Sequence, residues 1–77
     1  MELTPNESRI YEIIIGRTEV GNPPTHEDIR ADLYGTRKNT MPAVKRAVNT
    51  LESKRLVDVT HSVHRSAEII TPIPDKN

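Results

Sequence analysis

The stretch Thr40-Met-Pro-Ala-Val-Lys-Arg-Ala-Val-Asn-Thr-Leu-Glu-Ser-Lys54 decides the fold, because it joins a helical apolar period to a cationic outer side. Read as a helix, it places apolar side chains in one stripe at i, i+3, i+4 and i+7: Val44, Ala47, Val48 and Leu51. Lys45, Arg46 and Asn49 fall on the opposite side, where they face water or a partner.

The N-terminus of this predicted helix carries start signals. Thr40 is expected to act as the N-cap, and Pro42 stands in the first turn, where a missing backbone N–H costs little. Cationic and amide side chains on the outer side of a short helix suit the edges of bases and their phosphates. The stretch therefore predicts a helix over 40–54 that enters the major groove of DNA.

Composition limits the class of protein. A chain of 77 residues, 34% hydrophobic and 29% charged, predicts one small globular domain. The absence of cysteine excludes disulfides and thiolate metal sites. No apolar run approaches the roughly 18 residues that a membrane span needs, and the acidic start is unlike a signal peptide. A cytoplasmic location is expected by default.

A net charge of zero conceals a strong segregation of charge along the chain. Residues 1–36 hold three cations against seven anions, whereas residues 37–55 hold six cations against Glu52 alone. A basic segment that coincides with the predicted groove helix is typical of a nucleic-acid binder. A merely solvated helix face is the alternative, and charge alone does not separate the two.

Two further helices precede this segment. Thr4, Pro5 and Glu7 form the start signal of the first, which we expect to end near Val20 with Gly21 left-handed after it. Its buried stripe is expected to be Ile10, Ile13 and Ile14, widened by Tyr11 and Ile15.

Thr25 and Asp28 predict the start of the second helix, which ends around Tyr34 and Gly35, with Ile29 and Leu33 facing inward. A glycine-containing turn between two short helices, the second basic, indicates a helix-turn-helix.

The chain after Lys54 changes to an alternating, β-branched pattern. Residues 56–60 and 66–71 are predicted strands, and residues 61–65 are a polar tip between them. A hairpin after the groove helix is the wing of a winged helix-turn-helix. The predicted fold class is therefore α+β, mainly α, with three helices and a two-stranded wing over residues 1–71. The proline-rich residues 72–77 are predicted to form a flexible tail.

Two motifs resemble the N-terminal DNA-binding domain of LexA-type SOS repressors. Leu3-Thr4-Pro5, a helix, and then Gly21-Asn-Pro-Pro-Thr-His-Glu-Asp-Ile29 is similar to the family pattern L-T-P, helix, G-x-P-P-T-x-x-E-I. Residues 43–57 resemble the family's recognition helix and the start of its wing, so the likeness covers residues 3–71. It implies a sequence-specific regulator of transcription, with repression favoured.

The chain departs from the family pattern in three places. The turn from Leu33 to Val44 is longer than the family's, and Arg55 stands where the family usually has glycine. The catalytic domain of such repressors is absent, so self-cleavage is not implied.

The resemblance also implies which side chains contact DNA. The family's base-contacting positions fall on Thr40, Pro42, Ala43, Lys45 and Arg46. Because Pro42 and Ala43 offer only apolar contact, Lys45 and Arg46 are expected to supply most polar readout. Asn49, one turn further on, can reach a base or a phosphate. Predicted contacts to phosphates, which position the domain without reading sequence, are Arg37, Lys38, Lys54 and Arg55. His64 and Arg65 at the wing tip are expected to reach an adjacent minor groove or the backbone.

Other chemistry finds less support in the sequence. His61 and His64 point to opposite faces if they lie on a strand, and no helical ligand spacing accompanies them, so no metal site is predicted. The chain has neither a nucleophile elbow nor a glycine-rich phosphate loop, so neither an enzyme, a cofactor nor a small-molecule ligand is expected.

Proteins that bind single-stranded nucleic acid usually stack bases on aromatic side chains, and Tyr11 and Tyr34 are the only Phe, Tyr or Trp residues of this chain. Duplex DNA is favoured.

A protein-docking module is the main competing hypothesis. Winged helices also dock on other regulators or on polymerases, and the acidic first half of the chain offers a surface for that purpose: Glu2, Glu7, Glu12 and Glu19. A single winged helix buries too little on DNA for tight and selective binding. We therefore expect either a homodimer or a complex with a partner protein.

Overall fold

The computed structural model describes residues 2–74 and contains three helices followed by one antiparallel hairpin. The elements are α1 (Pro5–Glu19), α2 (His26–Tyr34), α3 (Met41–Ser53), β1 (Val57–Ser62) and β2 (Ala67–Pro72). The predicted fold class, a winged helix-turn-helix of mainly α composition, is confirmed. No helix within residues 2–74 is long and apolar enough to cross a membrane.

The first two helices begin with the predicted capping boxes. In α1 the Glu7 amide donates to Thr4 Oγ1 (3.2 Å), and the Thr4 amide donates to Glu7 Oε1 (3.1 Å). Thr25 and Asp28 repeat the arrangement at α2, with distances of 3.1 and 3.0 Å. After α1, Gly21 takes a left-handed φ of 80°, as predicted. These ends follow local rules, since each cap joins residues three positions apart.

The N-terminus of α3 departs from the prediction. Thr40 precedes the helix, but its φ of −102° and ψ of −11° are helical, and its side chain accepts no hydrogen bond from the first turn. The hydroxyl instead donates to the carbonyl oxygen of Arg37 at 3.3 Å. The prediction that the Thr40 side chain caps this helix is therefore wrong, because the preceding turn recruits that side chain.

The C-terminus of α3 closes without a glycine. Arg55 adopts a left-handed φ of 62°. The Leu56 amide donates to the Leu51 carbonyl and the Arg55 amide donates to the Glu52 carbonyl, both at 3.0 Å. This is the hydrogen-bonding pattern of a Schellman motif. A residue that ordinarily avoids this conformation therefore completes the helix end.

Arg55→Gly is expected to stabilise the domain by about 1 kcal/mol. A left-handed conformation costs a non-glycine residue roughly 1–2 kcal/mol, and the greater freedom of glycine in the unfolded chain cancels part of the gain. Urea denaturation measures the effect. Ser53→Gly is the control, since it places glycine within the helix and should lower stability. Equal losses in both variants would contradict the strain at Arg55.

The core lies where the three helices and the hairpin meet. Its buried residues are Ile10, Ile14, Ile29, Val44, Ala47, Val48, Leu51, Val57 and Ile70. All four members of the predicted stripe of α3 belong to it, whereas Ile13 and Leu33 are only half-buried and pack against its edge. Because the inner side of α3 is consumed by this packing, its opposite side is left for solvent or a partner.

The hairpin lies one residue further along the chain than predicted, and residues 61 and 62, which were predicted to be part of the tip, belong to β1. β1 and β2 pair from Val57 opposite Pro72 to Ser62 opposite Ala67. Pro72 therefore ends β2 rather than beginning a tail, and the Ile73 amide donates to the Leu56 carbonyl at 2.9 Å. Proline fits there because the end of a strand tolerates a missing donor. Of the predicted tail, residues 75–77 lie outside the described residues.

The link between α1 and α2 forms an isolated backbone bridge to β2. Thr25 forms an antiparallel bridge with Ile69, and the Ile70 amide donates to the Pro24 carbonyl at 2.8 Å. The pairing of this link with β2 was not predicted from the sequence. This pairing fixes the hairpin against the start of α2.

Candidate nucleic-acid interface

The outer side of α3 is free. Lys45, Arg46, Asn49 and Pro42 are exposed, because the opposite stripe of the helix is buried in the core. Within residues 2–74, the side chains of Lys45, Arg46 and Asn49 make no hydrogen bond or ion pair. Their donors and acceptors therefore remain available to a ligand.

Ala43 lies at the margin of that outer side. It is half-buried and lines a shallow groove between α3 and the start of α1, together with Arg46 and Thr50 from α3 and Asn6 from α1. A duplex can reach Ala43 only beside α1. Of the residues predicted to contact bases, Ala43 and Thr40 are the two with restricted access.

The turn between α2 and α3 carries two exposed cations, Arg37 and Lys38. Asn39 takes a left-handed φ of 61° before the chain enters α3. Asparagine is among the few residues that adopt this conformation readily. The turn thus presents both cations beside the N-terminus of α3, where helical N–H groups also favour an anion.

Lys54, a predicted phosphate contact, already has partners within the protein. Its ammonium donates to the Glu2 carbonyl oxygen at 2.9 Å and lies 3.7 Å from Glu7 Oε1. These contacts tie the end of α3 to the N-terminal segment. The ammonium of Lys54 is thus engaged within the protein, while its neighbour Arg55 is exposed.

Arg65 at the wing tip also folds back onto the protein. Its guanidinium donates to the Pro23 carbonyl at 2.6 Å, to Asn22 Oδ1 at 3.4 Å and to Asp28 Oδ2 at 2.7 Å. Burial alone raises the pKa of the Asp28 carboxyl, but the Thr25 amide and Arg65 outweigh burial, so the pKa is lowered. Arg65 therefore fastens the wing to α2, and the other predicted tip residue, His64, is exposed.

The structure sorts the cations into two groups. Among residues 2–74, those with ion-pair partners are Arg17, Arg30, Lys54 and Arg65. The remaining cations of the described chain have none, and they are Arg9, Arg37, Lys38, Lys45, Arg46 and Arg55. Five of these six lie in the basic segment 37–55. Unpaired positive charge is therefore concentrated on the basic segment, because most of the cations outside it form ion pairs.

His26 is a neighbour of this surface that the sequence analysis did not single out. It begins α2 and is half-buried. Burial lowers the pKa of its imidazole, and the charge of Lys45 lowers it further. The charges of Glu68 and Glu52 raise the pKa but do not outweigh burial. Its only sequence signal is a place next to the Thr25 cap. Its environment comes from α3 and β2, which are remote in the chain.

Acidification from pH 7 to pH 5 is expected to destabilise the fold in part through His26. The unfolded chain protonates this imidazole near pH 6.5, its ordinary pKa, whereas the folded protein protonates it only at lower pH. The unfolded state thus binds more protons in this window, so stability falls as pH falls. Urea denaturation at several pH values measures the slope. His26→Gln should flatten it, and an unchanged slope would show that His26 is not the source.

Comparisons with family models, with curated proteins and with solved structures gave no match to this chain. The resemblance to LexA-type repressors therefore stays a prediction, whereas the winged-helix arrangement is seen directly in the structure. Within residues 2–74, no group of three or more histidine, aspartate or glutamate residues is placed to hold a metal ion.

Proposed function

We propose that this protein is a sequence-specific double-stranded DNA-binding regulator of transcription that reads the major groove with α3. The observation that carries the proposal is the unpaired cationic surface of the basic segment: Arg37, Lys38, Lys45, Arg46 and Arg55. An exposed basic helix on a winged-helix framework is suited to this groove in shape and charge. Repression is favoured only by the resemblance to LexA-type repressors.

The roles divide by position. Lys45 and Arg46 supply polar readout of bases, with Asn49 as a further amide reader, because all three are exposed on the outer side of α3. Arg37 and Lys38 before the helix contact phosphates and set the register without reading sequence. Arg55 and His64 extend this backbone contact at the far end of α3 and at the wing.

Two residues are reassigned in this proposal. Lys54 and Arg65 already have intramolecular partners, so contact with phosphate would require breaking them. They support the surface by holding α3 to the N-terminal segment and the wing to α2.

A salt titration of binding to a mixed-sequence duplex tests the proposal. Neutralising four or five phosphates should give a log-log slope of about −3 to −5. Arg37→Ala should make the slope shallower by about 1. Arg9→Ala is the matched control, because it removes an exposed, unpaired cation outside the basic segment and should leave the slope nearly unchanged. A flat response, or no binding at low salt, would favour the docking module instead.

The assembly on DNA is part of the proposal. A single module of this kind buries roughly 600–1,000 Å² of protein surface, which is too little for tight selective binding. A homodimer on two half-sites, or a complex with a partner protein, supplies the remainder in the cytoplasm. Sedimentation with and without duplex measures this, and a strict monomer saturating one site would remove the homodimer.

A further inference from the structure

Arg30 makes the densest set of contacts around the turn between α2 and α3. From its place on α2, its Nε donates to Glu27 Oε2 at 2.8 Å, and its Nη2 donates to the same carboxylate. Its Nη1 donates to the Gly35 carbonyl at 2.9 Å and reaches the Arg37 carbonyl at 3.4 Å. One guanidinium thus joins α2, the end of that helix and the middle of the turn.

These contacts converge on the backbone of Arg37. Its carbonyl oxygen accepts from Arg30 and from the Thr40 hydroxyl, and its amide donates to the Tyr34 carbonyl at 3.2 Å. Both peptide groups of Arg37 are therefore held, although its side chain is exposed and makes no hydrogen bond or ion pair within residues 2–74. The backbone is fixed where the side chain is free.

The charge of Arg30 is committed within the protein. Glu27 occupies two of its donor groups, and the pKa of each partner shifts toward its ionised form through their mutual hydrogen bond. A planar guanidinium can donate to a carboxylate and to carbonyls at once, which an ammonium on a flexible stem does not reproduce. Arg30 is thus suited to hold a turn and poorly placed to be a phosphate contact itself.

We infer that Arg30 is a positioning residue for DNA binding, which fixes the turn between α2 and α3 so that Arg37 and Lys38 are directed at the DNA backbone. The inference rests on the proposed function.

The experiment is a mutant cycle of Arg30→Lys with the double replacement Arg37→Ala/Lys38→Ala, measured as duplex affinity at fixed salt. Arg30→Lys keeps the charge and should weaken binding about three- to tenfold, because an ammonium does not reproduce the simultaneous contacts of the guanidinium with Glu27 and the two carbonyls. In the Arg37→Ala/Lys38→Ala background, which lacks both of the cations that the turn directs, the same change should cost less than about twofold. Independent, multiplying losses, or wild-type affinity in Arg30→Lys, would overturn the inference.

A control and a second readout separate this inference from general stability and from the proposed function. Arg17→Lys breaks the Arg17–Asp32 pair, another two-pronged ion pair away from the turn, and should leave affinity unchanged. Nitrogen-15 relaxation of residues 36–39 in the free protein should show faster motion in Arg30→Lys only. Failure of the unmodified protein to bind duplex would overturn the proposed function, and unchanged relaxation would overturn the holding of the turn.

Discussion

Simultaneous replacement of Lys45 and Arg46 by alanine is expected to weaken binding to the preferred duplex by at least about a hundredfold. Each well-formed contact to a base edge contributes roughly 1–3 kcal/mol of discrimination. Binding to a scrambled duplex should weaken much less, because the phosphate contacts of Arg37, Lys38 and Arg55 remain. The measurement is the ratio of Kd values for the two duplexes, after selection of the preferred sequence from a random pool.

Arg37→Ala combined with Lys38→Ala is the matched control, since it also removes two unpaired cations. It should weaken both duplexes about equally and leave their ratio intact. If the two double variants lose affinity equally on both duplexes, then no base is read by α3 and the specific part of the proposed function fails.

Leu51→Ala is expected to lower the free energy of unfolding by about 2–5 kcal/mol. Leu51 is fully buried on the inner side of α3, in contact with the core that holds the exposed side outward. A loss of this size is a large part of the stability of a small domain. Urea denaturation, followed by circular dichroism, measures it.

Asn49→Ala is the control for Leu51→Ala, because it truncates an exposed residue of the same helix. We expect it to change stability by less than about 0.5 kcal/mol. A small effect of Leu51→Ala would mean that α3 is not anchored through its apolar stripe, and the orientation of its outer side would lose its basis.

The helices could be predicted because their signals are local. The capping boxes at Thr4 and Thr25 each involve residues three apart, and the apolar stripe of α3 repeats within its own length. The exposure of Lys45 and Arg46 follows from the same period. The fold class and the exposed side of α3 could accordingly be predicted from the sequence.

The parts that could not be predicted depend on contacts between distant residues. Arg65 meets Asp28 across 37 positions, and Lys54 meets the Glu2 carbonyl across 52. Nothing in the local sequence around either cation distinguishes it from its free neighbours, so Lys54 was predicted to contact phosphate and Arg65 to reach the minor groove or the backbone. The hydrogen bond from the Thr40 hydroxyl to the Arg37 carbonyl likewise depends on the path of the turn between α2 and α3, which Arg30 helps to set.

The central claim is that the basic segment is the surface that meets DNA. Titration of the nitrogen-15-labelled protein with a duplex, followed by amide chemical shifts, tests it most directly. We predict that the largest changes fall on residues 37–55 and that the exposed acidic positions of α1, Glu12 and Glu19, remain nearly unshifted. Changes concentrated on α1, or none at low salt, would contradict the account.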